Sequence, residues 1–502
     1  MNRLRLVTGA LVLAALGVAV SPAKAGLFTV PTAPTPTPTP GGVLVPPLYG
    51  KLKHLIFIVQ ENRSFDNYFG TYPGADGIPT NPPCQVDPWY PSACDTPYPS
   101  HIASNQGGPY MNPDQVVDID GGKMDGFVES RENELGPSCA PQNSRRPIDP
   151  NKVVGQYVDE GIKIDKKCII DVMGYHDGKD LPNYWSYAGN YVLFDHFYES
   201  VTSWSLPSHL AMFSGWAAKC TQINPPNVNS CSSTFGGDFW NPQKSSDAIP
   251  YLWTDITYLL YQHGITWLAY LDGGLGGPIG PPANAVQGIW IPLGGFETVN
   301  DDGQYLNAVG ATTTQFYSDA ANGNLPQVTW LIPNYTDSEH PQASIKTGQT
   351  YVTGLVNAIM AGPEWSSTAI FIVWDDIGGF YDHEPPPFSI DANGPGLRVG
   401  ALLISPYAKT GYIDHQIFTT DSFLTMIEDT FLKNERMSQA GRPDPRPDYR
   451  DASTEYGSFT QDFNFNQAPR PPMLLSTHPM TMLIDNDDAR SKPAVRGVRR
   501  VH

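Results

Sequence analysis

His54-Leu55-Ile56-Phe57-Ile58-Val59-Gln60-Glu61-Asn62-Arg63-Ser64-Phe65-Asp66 reads as a buried strand that stops abruptly at a carboxylate and an amide. The run from Leu55 to Val59 is apolar throughout, as suits a strand covered on both faces of a parallel sheet. Polar residues just past the carboxyl end of such a strand stand where open α/β sheets bind ligands. The pattern returns late in the chain, where Ala369-Ile370-Phe371-Ile372-Val373-Trp374 runs into Asp375-Asp376. Two strands that each deliver hard oxygen donors at their carboxyl ends point to a metal-assisted hydrolase.

Working outward, further strands are expected at 190–194, 265–270, 327–332 and 398–404, with helices around 206–217, 251–263, 311–322, 350–361 and 416–432. Strands that alternate with helices predict a layered α/β domain with a mostly parallel sheet. Residues 71–180, rich in Gly, Pro and Asp, and residues 271–300, with Gly273-Gly274-Leu275-Gly276-Gly277-Pro278, break the rhythm and read as insertions. Residues 1–25 have the form of a signal peptide: Arg3 and Arg5, an apolar run from Val7 to Val20, then Ala23-Lys24-Ala25. That run is short for a membrane span, which takes about 20 residues. A Pro/Thr-rich linker is expected over 26–50, the catalytic domain over 51–462, and a Pro/Arg-rich tail over 463–502. The reading is a secreted or periplasmic protein with no stable membrane anchor.

Six cysteines suit an oxidising compartment, and sequence-local pairing predicts Cys84–Cys94, Cys139–Cys168 and Cys220–Cys231 as loop staples. No Cys-x-x-Cys spacing supports zinc ligation by thiolates. The formal charge of −19 disfavours nucleic acid as a partner, because that binding depends on Lys and Arg neutralising phosphates. A phosphate-bearing substrate must then be drawn in by a local positive centre, again a metal.

Glu61, Asn62, Asp375 and Asp376 are the candidate ligands of one divalent ion. Their all-oxygen donor set favours Ca²⁺, Mg²⁺ or Mn²⁺, and participation of His would admit Zn²⁺. Neighbours on a straight strand point to opposite faces, so both members of each pair serve one site only if the chain turns there. Gly378-Gly379 allows such a turn. Taken singly, Asn62 and Asp66 read equally well as helix N-caps and Asp375-Asp376 as a solvated strand end. Their joint placement after two apolar strands favours the metal. In Thr202-Ser203-Trp204-Ser205-Leu206-Pro207-Ser208-His209, Ser205 is the candidate nucleophile, placed near the free N–H groups of a helix start. A plain N-cap is the competing reading, and Ser203 and Thr202 are rivals. His340 and His383 lie on loops after strands and are candidates for contacting a phosphoryl group or protonating a leaving oxygen. His176 and His196 are weaker candidates, and His196 after Asp195 reads as a brace for the Ser205 loop.

Glu61-Asn62-Arg63-Ser64-Phe65-Asp66, Gly121-Gly122-Lys123-Met124-Asp125-Gly126-Phe127, Ser203-Trp204-Ser205-Leu206-Pro207, Ser338-Glu339-His340-Pro341 and Trp374-Asp375-Asp376 together resemble the bacterial phosphoesterase family of phospholipases C and acid phosphatases. The resemblance runs over roughly residues 50–470 with the motifs in consistent order. It implies an alkaline-phosphatase-like three-layer α/β/α core. It also implies a metal held by Glu61, Asn62, Asp375, Asp376 and Ser205, Ser205 as nucleophile, and a phosphoryl-contacting role for His340. Two departures stand out. Relatives often carry a His after Gly-Gly-Pro, where this chain has Gly107-Gly108-Pro109-Tyr110, and no His stands at Trp290-Ile291-Pro292-Leu293. Fewer cationic contacts disfavour a dianionic monoester relative to a monoanionic diester. Tyr110 and His176 become substrate-binding candidates, with His101 as a further compensating group. The Ser205-Leu206-Pro207-Ser208-His209 segment also resembles the sulfatase signature, but His209 stands where that motif ends in Arg. Tyr184, Trp185, Trp204 and Tyr381 are the aromatics available for a cationic headgroup, with burial in the core as the alternative.

The reading is an exported, metal-dependent phosphoesterase that cleaves phosphodiesters in phospholipase C fashion through a phosphoserine, its substrate a phosphate ester such as a phospholipid headgroup. The alternatives are an acid phosphatase acting on monoesters and, from another class, a catalytically silent surface-binding protein on the same scaffold. No oligomeric state follows from the sequence.

Overall fold

The apolar runs become the middle of an eight-stranded sheet. Its order is Tyr412–Asp414, Val192–Phe194, Ala401–Ile404, Thr368–Trp374, His54–Gln60, Val328–Ile332, Trp267–Leu271 and Ala311–Thr312. The computed structural model describes residues 49–485 apart from 92–93, 140–167, 237, 239, 243–248, 281 and 390–392. The expected signal peptide, nearly all of the linker and the last part of the tail lie outside the described residues. All six expected strands are present, and two short edge strands, Ala311–Thr312 and Tyr412–Asp414, were not expected. Edge strands of two or three residues carry too little pattern to read. Every neighbouring pair is parallel except those made by Ala401–Ile404, which runs against both of its partners.

The side-chain alternation of the central strands sorts the helices into two layers. Phe57 is in register with Trp330 and Phe371. On that face Phe423, from the Asp421–Phe431 helix, packs 4.9 Å from Phe57, and Phe213, from the Ser205–Ser214 helix, packs 5.3 Å from Trp330. The opposite face presents Trp374 and Tyr270. Trp374 meets Tyr68 and Tyr184 of the Phe65–Phe69 and Pro182–Asn190 helices, each at 5.2 Å, and Tyr270 meets Phe316 of the Thr313–Asn322 helix at 5.5 Å. The result is a three-layer α/β/α arrangement with both sheet faces covered, which explains why the central strands lack a polar alternation.

All three expected disulfides form, Cys84–Cys94, Cys139–Cys168 and Cys220–Cys231. The described part of 71–180 carries only short elements, among them the Asn112–Ile119 and Phe127–Leu135 helices that pack on each other.

Candidate active site

The His54–Gln60 strand lies between Val328–Ile332 and Thr368–Trp374, all parallel, so the loops at their carboxyl ends converge. Glu61-Asn62, Asp375-Asp376 and Ser338-Glu339-His340 leave the sheet side by side. The chain turns at once after each strand. Asn62 adopts φ +62°, a left-handed conformation that Asn tolerates better than most residues. Its backbone N–H donates to Asp375 Oδ1 at 2.9 Å, and its side-chain amide donates to Asp376 Oδ1. Gly378 and Gly379 follow at φ +58° and +69°. A Cβ at Gly378 would stand 2.7 Å from the Asn62 carbonyl oxygen, and one at Gly379 would stand 2.4 Å from the Gly108 carbonyl carbon, so the turn accepts no side chain. Gly378 N–H donates to Asp376 Oδ1 at 2.9 Å.

Ser205 is the first residue of the Ser205–Ser214 helix, with Trp204 at the cap position. Its hydroxyl does not cap the helix. Ser205 Oγ donates to Glu61 Oε2 at 3.0 Å and to Asp376 Oδ2 at 3.2 Å, which brings the candidate nucleophile onto two of the candidate ligands. The rivals point elsewhere: Ser203 Oγ donates to the Phe235 carbonyl at 2.6 Å and Thr202 Oγ1 to the Pro395 carbonyl at 3.3 Å. Asp66 is not a cap either. Ser64 caps the Phe65–Phe69 helix by accepting from Asn67 N–H.

The sequence reading missed His209. One helical turn past Ser205, its Nε2 lies 3.1 Å from Glu61 Oε1 and 3.5 Å from Asp375 Oδ2. Glu61, His209 and Asp375 are buried with one ligand atom each inside 4.8 Å. The available signal was the four-residue spacing from Ser205, which stacks two side chains on one helix face. Glu199 was missed as well. This buried carboxylate accepts from Ile377 N–H at 2.9 Å and Gln115 Nε2 at 3.0 Å, just behind the Asp pair.

The cluster is strongly electronegative. Glu61, Asp375, Asp376 and Glu199 are all buried, and among the described residues no Lys or Arg side chain is a hydrogen-bond or ion-pair partner of theirs. Burial first, then the charge of Asp375, pushes the Glu61 carboxyl well above the usual range. Burial and the charges of Asp375, Glu199 and Glu61 do the same to Asp376. Burial would raise Asp375 too, but the His209 hydrogen bond and charge, helped by Asn62 N–H, hold it below its ordinary value. Buried carboxylates at this spacing cannot all ionise without a cation. The buried Asn62 Oδ1 has no hydrogen-bond partner among the described residues, and Asp375 Oδ2 faces His209 Nε2 at 3.5 Å. These hard donors, with Ser205 Oγ and the imidazole of His209, fit a divalent ion.

His340 stands on the other side of the cleft. Its Nδ1 lies 3.1 Å from the Pro341 carbonyl, which places the proton on Nδ1 and leaves Nε2 to accept from Tyr110 OH at 3.2 Å. Burial holds its pKa below the ordinary value and favours the neutral ring. The rings of Trp290 and Tyr335 flank it, at 6.1 and 5.4 Å. Trp290 thus occupies the place beside His340 in the segment that lacks a His. Burial first, then the charges of Asp376, Asp375 and Glu61, push the Tyr110 phenol far up. Tyr110 and Trp204 also line a cavity of about 530 Å³ with Met111, Val117, Asp114 and Glu134. Glu339 anchors the His340 loop. It adopts φ +69°, its carbonyl takes two hydrogen bonds from Arg63, and its carboxylate accepts from Tyr68, Tyr184 and Trp374.

Several expected site residues stand outside this cluster. His383 bonds Asp66 through Nδ1 at 2.7 Å and approaches Arg398, Asp76 and Glu384, none of which touches Ser205. The Asp382-His383 segment faces the Arg398 ion pairs because the Gly378-Gly379 turn redirects the chain. His176 is fully buried and holds Asn105 at 3.0 Å, an amide that in turn accepts from Arg63, so it supports the Arg63 anchor and has no surface for a substrate. His101 pairs with Asp180 at 2.9 Å. Of the aromatics, Tyr184 packs on Trp374 in the core, Tyr381 is buried, and Trp185 donates to the Tyr68 carbonyl; Trp204 alone of these four lines the cavity.

The chain is similar over most of its length to curated proteins. It is 26% identical over 470 residues to phospholipase C B of Mycobacterium tuberculosis, covering 85% of this chain and 80% of that one. It is 25% identical over 483 residues to a non-hemolytic phospholipase C of Burkholderia pseudomallei, covering 83% and 59%. Non-specific phospholipase C1 of Arabidopsis thaliana is 24% identical over 401 residues, covering 74% and 63%. Among solved structures, a protein in the alkaline phosphatase superfamily from Vibrio parahaemolyticus aligns with a TM-score of 0.30 at 15% identity, covering 52% of this chain and 63% of that chain. The Phosphoesterase family model matches residues 52–432, well over half of the sequence, and the chain belongs to the Phosphoesterase family of phosphoester hydrolases.

Proposed function

We propose that the protein is an exported, metal-dependent hydrolase that cleaves phosphodiesters in phospholipase C fashion, with Ser205 as nucleophile. The observation that carries this is the placement of Ser205 Oγ between Glu61 and Asp376, 3.0 and 3.2 Å away, at a helix start beside His209. Glu61, Asn62, Asp375, Asp376 and Ser205, with His209 beside them, would hold one divalent ion. When bound, that ion supplies the positive charge an acidic site needs to draw in phosphate and favours ionisation of a neighbouring hydroxyl.

The residues divide the remaining work. One of Glu61 and Asp376, which share the Ser205 hydroxyl, takes its proton as the oxygen–phosphorus bond forms, and that proton passes to the leaving oxygen as its bond to phosphorus breaks, releasing the alcohol. Backbone N–H groups at the helix start face the phosphoryl oxygens. Water then attacks the phosphoserine, the serine–phosphorus bond breaks, and a proton returns to Ser205. His340, neutral and fixed by Pro341 and Tyr110, orients toward the phosphoryl group from across the cleft. Among the described residues no Arg or Lys side chain hydrogen-bonds or ion-pairs with the cluster, which suits a monoanionic diester better than a dianionic monoester. The named relatives are phospholipases C. The three disulfides support an oxidising compartment. No helix of the described residues is long and apolar enough to cross a membrane.

The test compares p-nitrophenyl phosphorylcholine with p-nitrophenyl phosphate, using metal-supplemented protein, chelator-treated protein and Ser205→Ala. Diester turnover that disappears with chelator and with Ser205→Ala is the expected result. Turnover that survives Ser205→Ala overturns the nucleophile, a monoester preference makes the protein a phosphatase, and turnover of neither ester favours a silent scaffold.

A further inference from the structure

A second group of ligating side chains sits at one edge of the sheet. The Val192–Phe194 and Tyr412–Asp414 strands are parallel and in register, Phe194 opposite Asp414. The residues that follow each strand, Asp195-His196 and His415, therefore emerge together. Asp195 is fully buried; it accepts from Asp76 N–H at 2.8 Å, and His196 Nδ1 and His415 Nδ1 stand 2.9 and 2.8 Å from its oxygens. The Asp195, His196 and His415 ligand atoms all lie within 4.8 Å of one another.

His196 has a second carboxylate contact. Its Nε2 lies 3.3 Å from Asp76 Oδ2, so each ring nitrogen faces a carboxylate, and Asp76 is placed to hold the ring proton on Nε2 when Nδ1 ligates a cation. The Nδ1 of His415 converges on the same Asp195 carboxylate as the Nδ1 of His196. Arg398 donates to the Asp195 and Asp76 carbonyls, and its charge is matched by Asp66 and Asp382.

The geometry points to a second metal site, formed by Asp195, His196 and His415, that takes a borderline transition-metal ion such as Zn²⁺. Two imidazoles and one carboxylate suit such an ion better than Ca²⁺ or Mg²⁺. Asp76 is the outer carboxylate that orients a ligating His through its other nitrogen. Zn²⁺ bonds of about 2.0–2.1 Å in a tetrahedron space the ligand atoms by roughly 3.3 Å. That is a few tenths more than the contacts here, and the largely exposed His415 ring is free to yield it. Its exposure also leaves the remaining coordination position to solvent. None of these residues belongs to the Ser205 cluster, so the site is one of stability and metal uptake and does not depend on the proposed reaction.

The experiment strips the full chain with chelator, dialyses it against buffered Zn²⁺ and counts bound ions by elemental analysis. It uses the wild type, His415→Ala, Asp375→Asn and the double variant. The expected result is that His415→Ala lowers the content by one ion per chain in both the wild-type and the Asp375→Asn background. The Zn²⁺-dependent rise in Tm left in Asp375→Asn should vanish in the double variant. Equal zinc content with and without His415 overturns the site, as does a zinc content that responds to Asp375→Asn alone. Circular dichroism of His415→Ala, an exposed substitution, confirms that the fold is retained.

Discussion

Glu339→Gln isolates one buried proton. Glu339 is fully buried, and its carboxylate accepts from Tyr184 OH at 2.7 Å, Tyr68 OH at 2.9 Å and Trp374 Nε1 at 3.0 Å. Burial outweighs those donors and the nearby Arg63, and raises its pKa from 4.5 to about 7. The folded state therefore holds the proton more tightly than the unfolded chain. This stabilisation is fully present below pH 4.5 and is lost as the pH rises through about 7. At about 1.36 kcal/mol per pKa unit, the shift corresponds to about 3 kcal/mol between the two limits. Gln cannot ionise, so the variant lacks this pH-dependent contribution. It has instead a constant cost of about 1–3 kcal/mol, because its NH₂ must face hydroxyl or indole donors. Urea unfolding of both proteins from about pH 4.5 to pH 8 reads the difference directly. The stability of the wild type relative to Glu339→Gln should fall by about 3 kcal/mol as the pH rises. Parallel pH profiles would refute the reasoning, since they would mean that Glu339 titrates alike in the folded and unfolded states.

His209→Ala should weaken divalent-ion affinity by at least the 10–100-fold that loss of an outer partner costs, measured by calorimetric titration of chelator-stripped protein; unchanged affinity removes His209 from the site. Gly379→Ala forces a side chain into a backbone at φ +69° with Gly108 2.4 Å away, and should cost more than the roughly 1–2 kcal/mol of a left-handed residue alone. A Tm equal to that of the wild type would show that the turn relaxes without cost. Arg398→Met strands Asp66 and Asp382, whose ion pairs with the fully buried guanidinium span 3.1 and 3.0 Å, and should destabilise by about 3–5 kcal/mol in thermal unfolding. A loss below about 1 kcal/mol would mean that the two carboxylates find other partners or protons.

The central strands were legible because burial on both faces leaves nothing but apolar residues, so Leu55–Val59 and Ala369–Trp374 announce themselves by composition. The carboxylates of the site were legible for a related reason: Glu61, Asn62, Asp375 and Asp376 interrupt those runs at the end where ligands bind. Ser205 was visible as a helix start but not separable from Ser203 and Thr202, because three neighbouring hydroxyls differ only in where the turn before the helix aims them. His383 looked equivalent to His340, since both follow strands on short loops. Distances that separate them are set by the direction of the Gly378-Gly379 turn, which the glycine pair permits but does not specify, and by the Arg398 ion pairs, which join residues far apart in the chain.

By itself, then, the order of residues determined the six main strands of the sheet, favoured the sequence-local disulfide pairs and marked the clustered hard donors, all of which follow from local periodicity, proximity along the chain or motif. Only the tertiary structure decided that His209 closes on Glu61 and Asp375, that Glu199 backs the Asp pair, that Trp290 packs beside His340, and that Asp195, His196 and His415 meet at a sheet edge. Each of these joins residues far apart in the chain through strand register and helix packing. The free energy that brings them together comes from the buried apolar core, whose contacts say nothing in the sequence about which polar groups they will carry into one place.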